Sequence, residues 1–280
     1  MGLSGNQLRS NRFATVWRGA YTTGNPDDLM VRARAALRIA GPDSVLGGAT
    51  VLRLIGVWLP QALMDETQVH VVVPPGQRGP RVRGIDVARM TPVIDPIDMG
   101  DVLAVHPAQA WLQVAGDISP ADLVVVTDAL LRRRSPVATR EELDFVLTQC
   151  SGRRGVAQAR TALSQAREGT QSPWETRLRL AMVDAGLPSP VVNHPLRAGA
   201  NARLYYLGMA YPNARLAIEC DGGQVANRRQ LDRDTKRQRD IEDADWRIIM
   251  ATHADFADLT PVLTSIKTAL EPPKTDDPLV

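Results

Sequence analysis

Apolar residues recur at helical spacing through most of the first 170 residues, and this pattern predicts a series of α-helices. They lie over 25–41, 43–57, from His106 onward, from Ser119 onward, over 139–149 and over 153–167. Asn25 is the expected cap of the first helix, whose arginines should face outward, and Asp43 or Ser44 is the expected cap of the second. The β-branched segments "QVHVVVPP" and "RVRGIDVARM", joined by the turn-rich "PGQRGPR", predict an antiparallel pair of strands.

The pattern changes after the polar, turn-rich segment "REGTQSPWE". Ser172, Pro173 and Glu175 form the expected start of a helix with a capping box. Three strand-like runs, a charged helix, another strand and a last helix follow, in the order αβββαβα. The runs cover 191–196, 203–211 and 215–220, the fourth strand is "WRIIMAT" and the last helix covers 256–270. The chain is therefore predicted to be α/β (α+β overall), with domains at 1–168 and 171–270 and a tail at 271–280.

The first 25 residues combine a predicted short helix, Asn6–Ser10, with a β-type run over 15–22. A helix followed by a β-wing is typical of the distal half of a winged helix, a fold that binds DNA. Arg9, Arg12 and Arg18 are then candidate DNA contacts. An arginine-bearing terminus that simply packs onto the domain explains the pattern equally well.

Composition limits the possible functions only loosely. The chain has 280 residues, of which 44% are hydrophobic, so it can bury a sizeable core, and its formal net charge is +2. Of its 33 basic residues all except Lys236, Lys267 and Lys274 are arginine. Arginine suits bidentate phosphate contacts, although a GC-rich genome gives the same bias without any functional cause.

Several classes of site and location are disfavoured by the sequence. It contains neither a long uncharged apolar run nor a secretory leader, which predicts a cytoplasmic protein without a membrane partner. Cys150 and Cys220 lack a CxxC neighbour and are predicted to be buried free thiols. The histidines occur singly and predict packed or surface side chains rather than metal ligands.

The segment "RLYYLGMAYPNARLAIECDGG" predicts two strands joined by a turn, with two carboxylates where the second strand ends. These are Glu219 and Asp221. Carboxylates at adjacent strand ends can hold Mg²⁺, which polarises a phosphodiester and activates water. The neighbouring strand carries Gly208 where such a site needs a further acid.

"SPWETRLRLAMVDAGLP", "LGMAYPNARLAIECDG", the basic helix and "DWRIIMAT" together resemble the C-terminal domain of actinobacterial proteins related to the very-short-patch-repair endonuclease, of the PD-(D/E)XK superfamily. The preceding part, with "VWRGAYTT" and "VHVVVPPG", is similar to AbiEi-like antitoxin and regulator proteins. The two resemblances cover about residues 5 to 255. They imply a DNA-associated protein with a restriction-endonuclease-like second domain.

The resemblance also implies a set of site residues. Glu175, Glu219 and Asp221 match the catalytic carboxylates of the superfamily, whereas Gly208 and Gln224 replace its usual aspartate and histidine. A remnant site is therefore expected, without a cofactor; if it is active, Mg²⁺ or Mn²⁺ would bind at Glu219 and Asp221. For an inactive remnant, Glu219→Ala is expected to change stability little.

The charged helix carries a row of cations at helical spacing, namely Arg229, Arg233, Lys236 and Arg237. Such a row can contact phosphates and so bind DNA without reading its sequence. Because acidic residues are interleaved, a solvated helix without a ligand is an equally good interpretation.

Three functional hypotheses follow. The first is a double-stranded DNA-binding regulator, antitoxin or defence-type protein whose nuclease-like domain does not cut. The second is a Mg²⁺-dependent DNA endonuclease with an altered site. The third is a protein-interaction module that neutralises a cognate toxin. The sequence gives no oligomeric state.

Overall fold

A computed structural model describes residues 12–221 and 228–271, and side chains for 12–221 and 233–271. The predicted helix at 6–10 lies outside these ranges. The chain divides into two compact units. The first contains the chain up to Leu130 together with Pro136–Ala166, and the second contains Leu131–Ser135 together with the chain from Arg167 onward.

The first unit is a mixture of helices and short strands, so the predicted α/β character (α+β overall) is confirmed. Its strands are β1 (Ala14–Trp17), β2 (Ala20–Thr22), β3 (Val45–Leu46), β4 (Val69–Val73), β5 (Ile85–Arg89), β6 (Ile97–Asp98) and β7 (Leu103–Ala104). Its helices are α1 (Leu29–Ala40), α2 (Gly48–Leu54), α3 (Gln61–Met64), α4 (Pro107–Val114), α5 (Pro120–Leu130), α6 (Arg140–Gln149) and α7 (Val156–Gln165). Strands β3 to β7 form one sheet in the order β5-β4-β3-β7-β6.

The β-type run at 15–22 is a hairpin rather than a single strand. β1 and β2 pair antiparallel, and Gly19 at φ +87° makes the turn between them. Glycine adopts this conformation readily because it has no Cβ.

The first helix begins later than its sequence indicates. Asp28 is its cap and accepts a hydrogen bond from Val31 N, whereas Asn25 accepts from Asp27 N and stabilises the preceding turn. The prediction that its arginines all face outward is also wrong. The half-buried Arg32 lies 4.8 Å from the centre of the Trp17 ring and donates to Thr67 O at 2.7 Å.

The predicted helix over 43–57 is split. β3 occupies its start, because Val45 and Leu46 pair with β4, and the helix begins only at Gly48. Its cap is therefore Gly47 and not Asp43 or Ser44. Strands of two residues carry no periodicity of their own, so they are easily read as part of the adjoining helix. Similarly, α7 begins at Val156 and not at 153, because Gly155 adopts φ +86° immediately before it.

Strands β4 and β5 run parallel, so the predicted antiparallel pair is wrong. Val69 lies opposite Ile85 and Val73 opposite Arg89. The segment between the strands is long enough for the chain to return to the starting end of β4, which a tight turn does not allow. The antiparallel neighbour of β4 is β3.

The second unit follows the predicted order αβββαβα. It consists of α8 (Pro173–Asp184), β8 (Val191–Ala198), β9 (Arg203–Tyr211), β10 (Leu216–Cys220), α9 (Arg228–Glu242), β11 (Arg247–Ala251) and α10 (Thr260–Leu270). The sheet order is β11-β10-β9-β8, with β10 parallel to β11 and the other pairs antiparallel. The last helix starts later than predicted, because 253–257 form a separate 3₁₀ turn.

Both faces of this sheet are covered. Leu216 and Ile218 pack with Leu178 of α8 and Ile266 of α10, whereas Ala217 packs with Ile241 of α9. This alternation follows from the two-residue repeat of a strand. Polar side chains from several elements meet at the C-terminal end of β10, beside Gly208 in the middle of β9. In the part of the chain that the structure describes, no helix has the length and apolar character needed to cross a membrane.

Candidate functional site

Two of the predicted catalytic carboxylates, Glu175 and Glu219, lie close to Gly208. A Cβ placed on Gly208 of β9 would be 3.4 Å from Glu219 Oε2 on β10 and 3.6 Å from the carboxyl carbon of Glu175 on α8. The space beside Gly208 is therefore where a third carboxylate would meet the other two. Glycine leaves this space without a ligand.

Glu219 is held by a cation of the protein itself. Arg237 on α9 donates from one guanidinium nitrogen to Glu219 Oε1 at 2.7 Å and to Tyr206 O at 2.9 Å. The side chains of Glu219 and Arg237 are 14% and 30% exposed, so solvent screens this ion pair only partly. A guanidinium thus neutralises the carboxylate that a divalent metal ion would need.

Glu175 is fixed in the first turn of α8. Ser172 Oγ accepts from Glu175 N as expected for a capping residue. The second hydrogen bond of the predicted capping box is replaced. Glu175 Oε2 accepts from Gln171 N at 3.0 Å and not from the backbone N of the cap residue, Ser172. Orphan donors at a helix start are commonly satisfied by such side chains, so Glu175 has a structural role here.

Asp221 lies directly beyond β10, where its backbone N donates to Ala251 O of the neighbouring strand. Its side chain is exposed. Among the residues that the structure describes, no three His, Cys, Asp or Glu side chains are placed to hold a metal ion together. Gln224, the replacement for the histidine of the superfamily, lies outside the described residues. With Arg237 on Glu219 and glycine at 208, the described residues of this site do not fit Mg²⁺ or Mn²⁺.

The negative charges of Glu175 and Glu219 affect the pKa of the neighbouring Cys220 thiol. Burial, with the negative charges of Glu175 and Glu219, raises the pKa of Cys220 to about 12. Both cysteines are free; Cys150 is buried as predicted, whereas Cys220 is half-buried. Burial is the larger cause of the raised pKa, and the two carboxylates add to it.

The predicted row of cations on α9 lies partly against the sheet. Lys236 pairs with Asp240 at 3.2 Å, and Asp240 is buried and accepts from the Tyr205 hydroxyl. Arg237 binds Glu219 and the Tyr206 carbonyl. Arg233 is exposed, and the side chain of Arg229 is outside the described residues. The C-terminal half of the row therefore serves the fold, and Arg233 remains a candidate DNA contact.

Among the N-terminal candidates, Arg18 lies in the turn of the β1–β2 hairpin, which borders a groove. Arg12 and Arg18 are exposed, and Arg9 lies outside the described residues. The groove, of about 370 Å³, lies between the β1–β2 hairpin and α1 and is lined by Arg34 and Arg38. Arg34 pairs with Asp101 at 2.8 Å, and Arg38 is exposed. Sequence reasoning missed Arg38 as a candidate contact, although its spacing of four from Arg34 places both on one helix face.

His70, predicted to be a packed or surface histidine, is part of a cluster of charged groups in the first unit. Its Nε2 lies 2.9 Å from Glu66 Oε2 and its Nδ1 lies 3.3 Å from Asp86 Oδ2. Burial lowers the pKa of His70, but the hydrogen bonds and charges of Asp86 and Glu66 outweigh it and raise the pKa above 6.5. Asp86 was not predictable as a partner because it comes from a strand whose pairing is parallel.

This raised pKa predicts a pH-dependent contribution to stability. The imidazolium is favoured in the folded state, so its contribution is complete below the unfolded pKa of 6.5 and is lost as pH rises through the folded pKa. His70→Gln should lower the free energy of unfolding by about 1 kcal/mol at pH 6, the upper range for partly exposed ion pairs. In urea unfolding the difference from the parent protein should shrink at pH 9; a difference that grows with pH would contradict this assignment.

Comparison with known proteins adds relatives without a stated activity. Two Mycobacterium tuberculosis proteins, Uncharacterized protein MT2308 of strain CDC 1551 / Oshkosh and Uncharacterized protein Rv2248 of strain H37Rv, are each 28% identical to this chain over 250 residues. The match covers 87% of this chain and 86% of each relative, so it extends over parts of both units. No family model and no solved structure matches the chain.

Proposed function

We propose that this protein is a cytoplasmic DNA-binding protein, acting as a regulator, antitoxin or defence-type factor, in which the second unit binds duplex DNA without cutting it. One observation carries the non-cleaving part of the proposal. Arg237 binds Glu219 while Gly208 supplies no ligand. Metal-dependent hydrolysis requires several oxygen ligands on one ion, and here one carboxylate is occupied and another is missing.

The DNA-binding part of the proposal is supported by exposed arginines on both units. They are Arg12, Arg18 and Arg38 in the first unit and Arg233 in the second. Arginine is weakly hydrated and forms bidentate contacts with phosphate. Binding of this kind is driven largely by release of counterions from DNA, so it weakens steeply with salt.

The contribution of α9 to DNA binding can be tested through this salt dependence. In fluorescence anisotropy with a labelled duplex, Arg229→Ala combined with Arg233→Ala should make the negative slope of log K against log salt shallower, by about 0.9 for each phosphate that the variant no longer neutralises. Arg239→Ala provides the matched control, since Arg239 is an exposed cation of the same helix. An unchanged slope in the double variant, or an equal change in the control, would remove this face of α9 from the interface.

Direct assays can distinguish two other functions from the proposed one. A Mg²⁺-dependent endonuclease is favoured by the convergence of Glu175 and Glu219 on the space beside Gly208, and it predicts cleavage of supercoiled or linear duplex. A toxin-neutralising module predicts binding to a protein partner and no salt-sensitive shift of duplex DNA.

A further inference from the structure

The first unit contains a cavity large enough for a small ligand. Its volume is about 380 Å³, and it lies between the start of α2, strands β4 and β5, and α4. Ligand cavities typically have volumes of about 300–1,000 Å³ and mainly apolar walls with a few polar groups. Here Val71, Ala88 and Leu112 contribute apolar surface, and the polar groups fall into two sets.

The first set consists of two glutamine side chains that present hydrogen-bond donors. Gln113 Oε1 accepts from Gly48 N at 2.6 Å and Gln109 Oε1 accepts from Val93 N at 2.8 Å, which fixes the orientation of both carboxamides. Within the described part of the chain, the hydrogen bonds of both amide nitrogens go to Met90 Sδ, at 2.9 Å and 3.5 Å.

A thioether is a weak acceptor, and each amide has two N–H groups. Gln109 is fully buried, with 0% of its surface exposed, so bulk water cannot satisfy it. Buried donors with such poor acceptors are costly unless something else bonds to them. Gln113, which is half-buried, therefore provides a built donor on the cavity wall, whereas Gln109 has no surface that a ligand can touch.

The second set consists of carboxylates that accept hydrogen bonds. Glu66 and Asp86 lie on opposite nitrogens of His70 and also line the cavity. Because each carboxylate takes a different ring nitrogen, the three groups do not converge on one point, as a metal site would require. Each carboxylate retains an oxygen that can accept from a ligand.

Gly48 connects the two walls. Its N donates to Gln113, and a Cβ on it would lie 3.2 Å from the His70 ring. Arg153, which is exposed, also lines the cavity, whereas Arg154 pairs with Asp117 and donates to Gly116 O.

We propose that this cavity binds a guanine base, as the nucleoside or nucleotide. Guanine has two adjacent acceptors, O6 and N7, and a separate donor edge with the N2 amino group. The carboxamide of Gln113 matches the acceptors, and the carboxylates of Glu66 and Asp86 match the donors. Adenine does not match, because its N6 amino group stands in the place of O6. This proposal does not depend on the function of the second unit.

Titration calorimetry and thermal unfolding of the full chain with guanosine and with adenosine test the proposal. Guanosine should raise Tm and release measurable heat, and adenosine should bind at least about tenfold more weakly, because an unpaired polar edge is strongly rejected by such a site. Guanosine monophosphate should bind more tightly than guanosine in the parent protein but not in Arg153→Ala. Absence of guanosine binding, or equal binding of both nucleosides, would overturn the proposal.

Variants locate the binding to this cavity. Asp86→Asn should weaken guanosine binding about tenfold or more, since it replaces an ionised acceptor. Asp86 is 57% exposed, so the fold should tolerate this change. Asp144→Asn, at an exposed position of α6, is the matched control. Gln113→Met, a second variant, should weaken guanosine binding by a similar factor. Guanosine binding that is unchanged in Asp86→Asn would also overturn the assignment.

Discussion

Glu219→Ala is expected to lower the free energy of unfolding by about 2 kcal/mol, the range found for hydrogen bonds to charged groups. The change removes the carboxylate that accepts from Arg237 at 2.7 Å and leaves a partly buried guanidinium bonded to the Tyr206 carbonyl. Glu219→Ala should therefore destabilise the protein even if the site is an inactive remnant. The sequence alone had predicted little change in stability. Urea unfolding of the full chain measures the effect.

A double-mutant cycle separates the ion pair from simple loss of packing. Arg237→Met keeps much of the apolar stem and should itself be destabilising, because it leaves Glu219 without its cation. The double variant should be less destabilised than the sum of the two single variants, with a coupling of about 0.5–3 kcal/mol. Strictly additive effects would show that Glu219 and Arg237 do not stabilise each other in solution.

Gly208→Asp is expected to be stabilised by metal ions, whereas the parent protein is not. Its Cβ would lie 3.4 Å from Glu219 Oε2 and 3.6 Å from the carboxyl carbon of Glu175, so the change adds a third carboxylate beside two whose charges contribute to the raised pKa of Cys220. Without metal, crowding and like-charge repulsion should cost about 1–3 kcal/mol. With Mn²⁺ the new cluster should recover stability, since a ligand that binds only the folded state raises Tm.

Gly208→Asn is the matched control for this effect, because it has nearly the same volume and no charge. It should be destabilised similarly but should not respond to Mn²⁺ any more than to EDTA. Adding Gln224→His to Gly208→Asp is expected to strengthen the Mn²⁺ response. A parent protein that Mn²⁺ stabilises as much as Gly208→Asp would contradict the placement of the site.

The second unit was largely predictable from sequence because its signals are local. The Ser172 cap, the long strand runs and the charged helix each carry a clear period or capping residue, and all lie where they were predicted. In the first unit, β3 is too short to show a period, and the parallel pairing of β4 with β5 depends on the path of residues 74–84. Neither feature is encoded in a local pattern.

The candidate site was likewise predictable from the sequence only in part. The positions of Glu175, Gly208 and Glu219 around one point followed from strand order and resemblance. The role of Arg237 did not, because spacing along α9 shows which residues share a face but not which way that face points. Asp240 and Ile241, both buried, show that this part of the helix turns toward the sheet. A cation predicted to meet DNA therefore binds Glu219 instead.

Incubation of the purified protein with supercoiled and linear duplex DNA, in Mg²⁺ or Mn²⁺ and beside Glu219→Ala, tests the central claim most directly. We expect a salt-sensitive shift of the duplex and no cleavage, because Arg237 occupies Glu219 and Gly208 offers no ligand. Metal-dependent cleavage by the parent protein that disappears in Glu219→Ala would contradict the account, since it would show a working catalytic site.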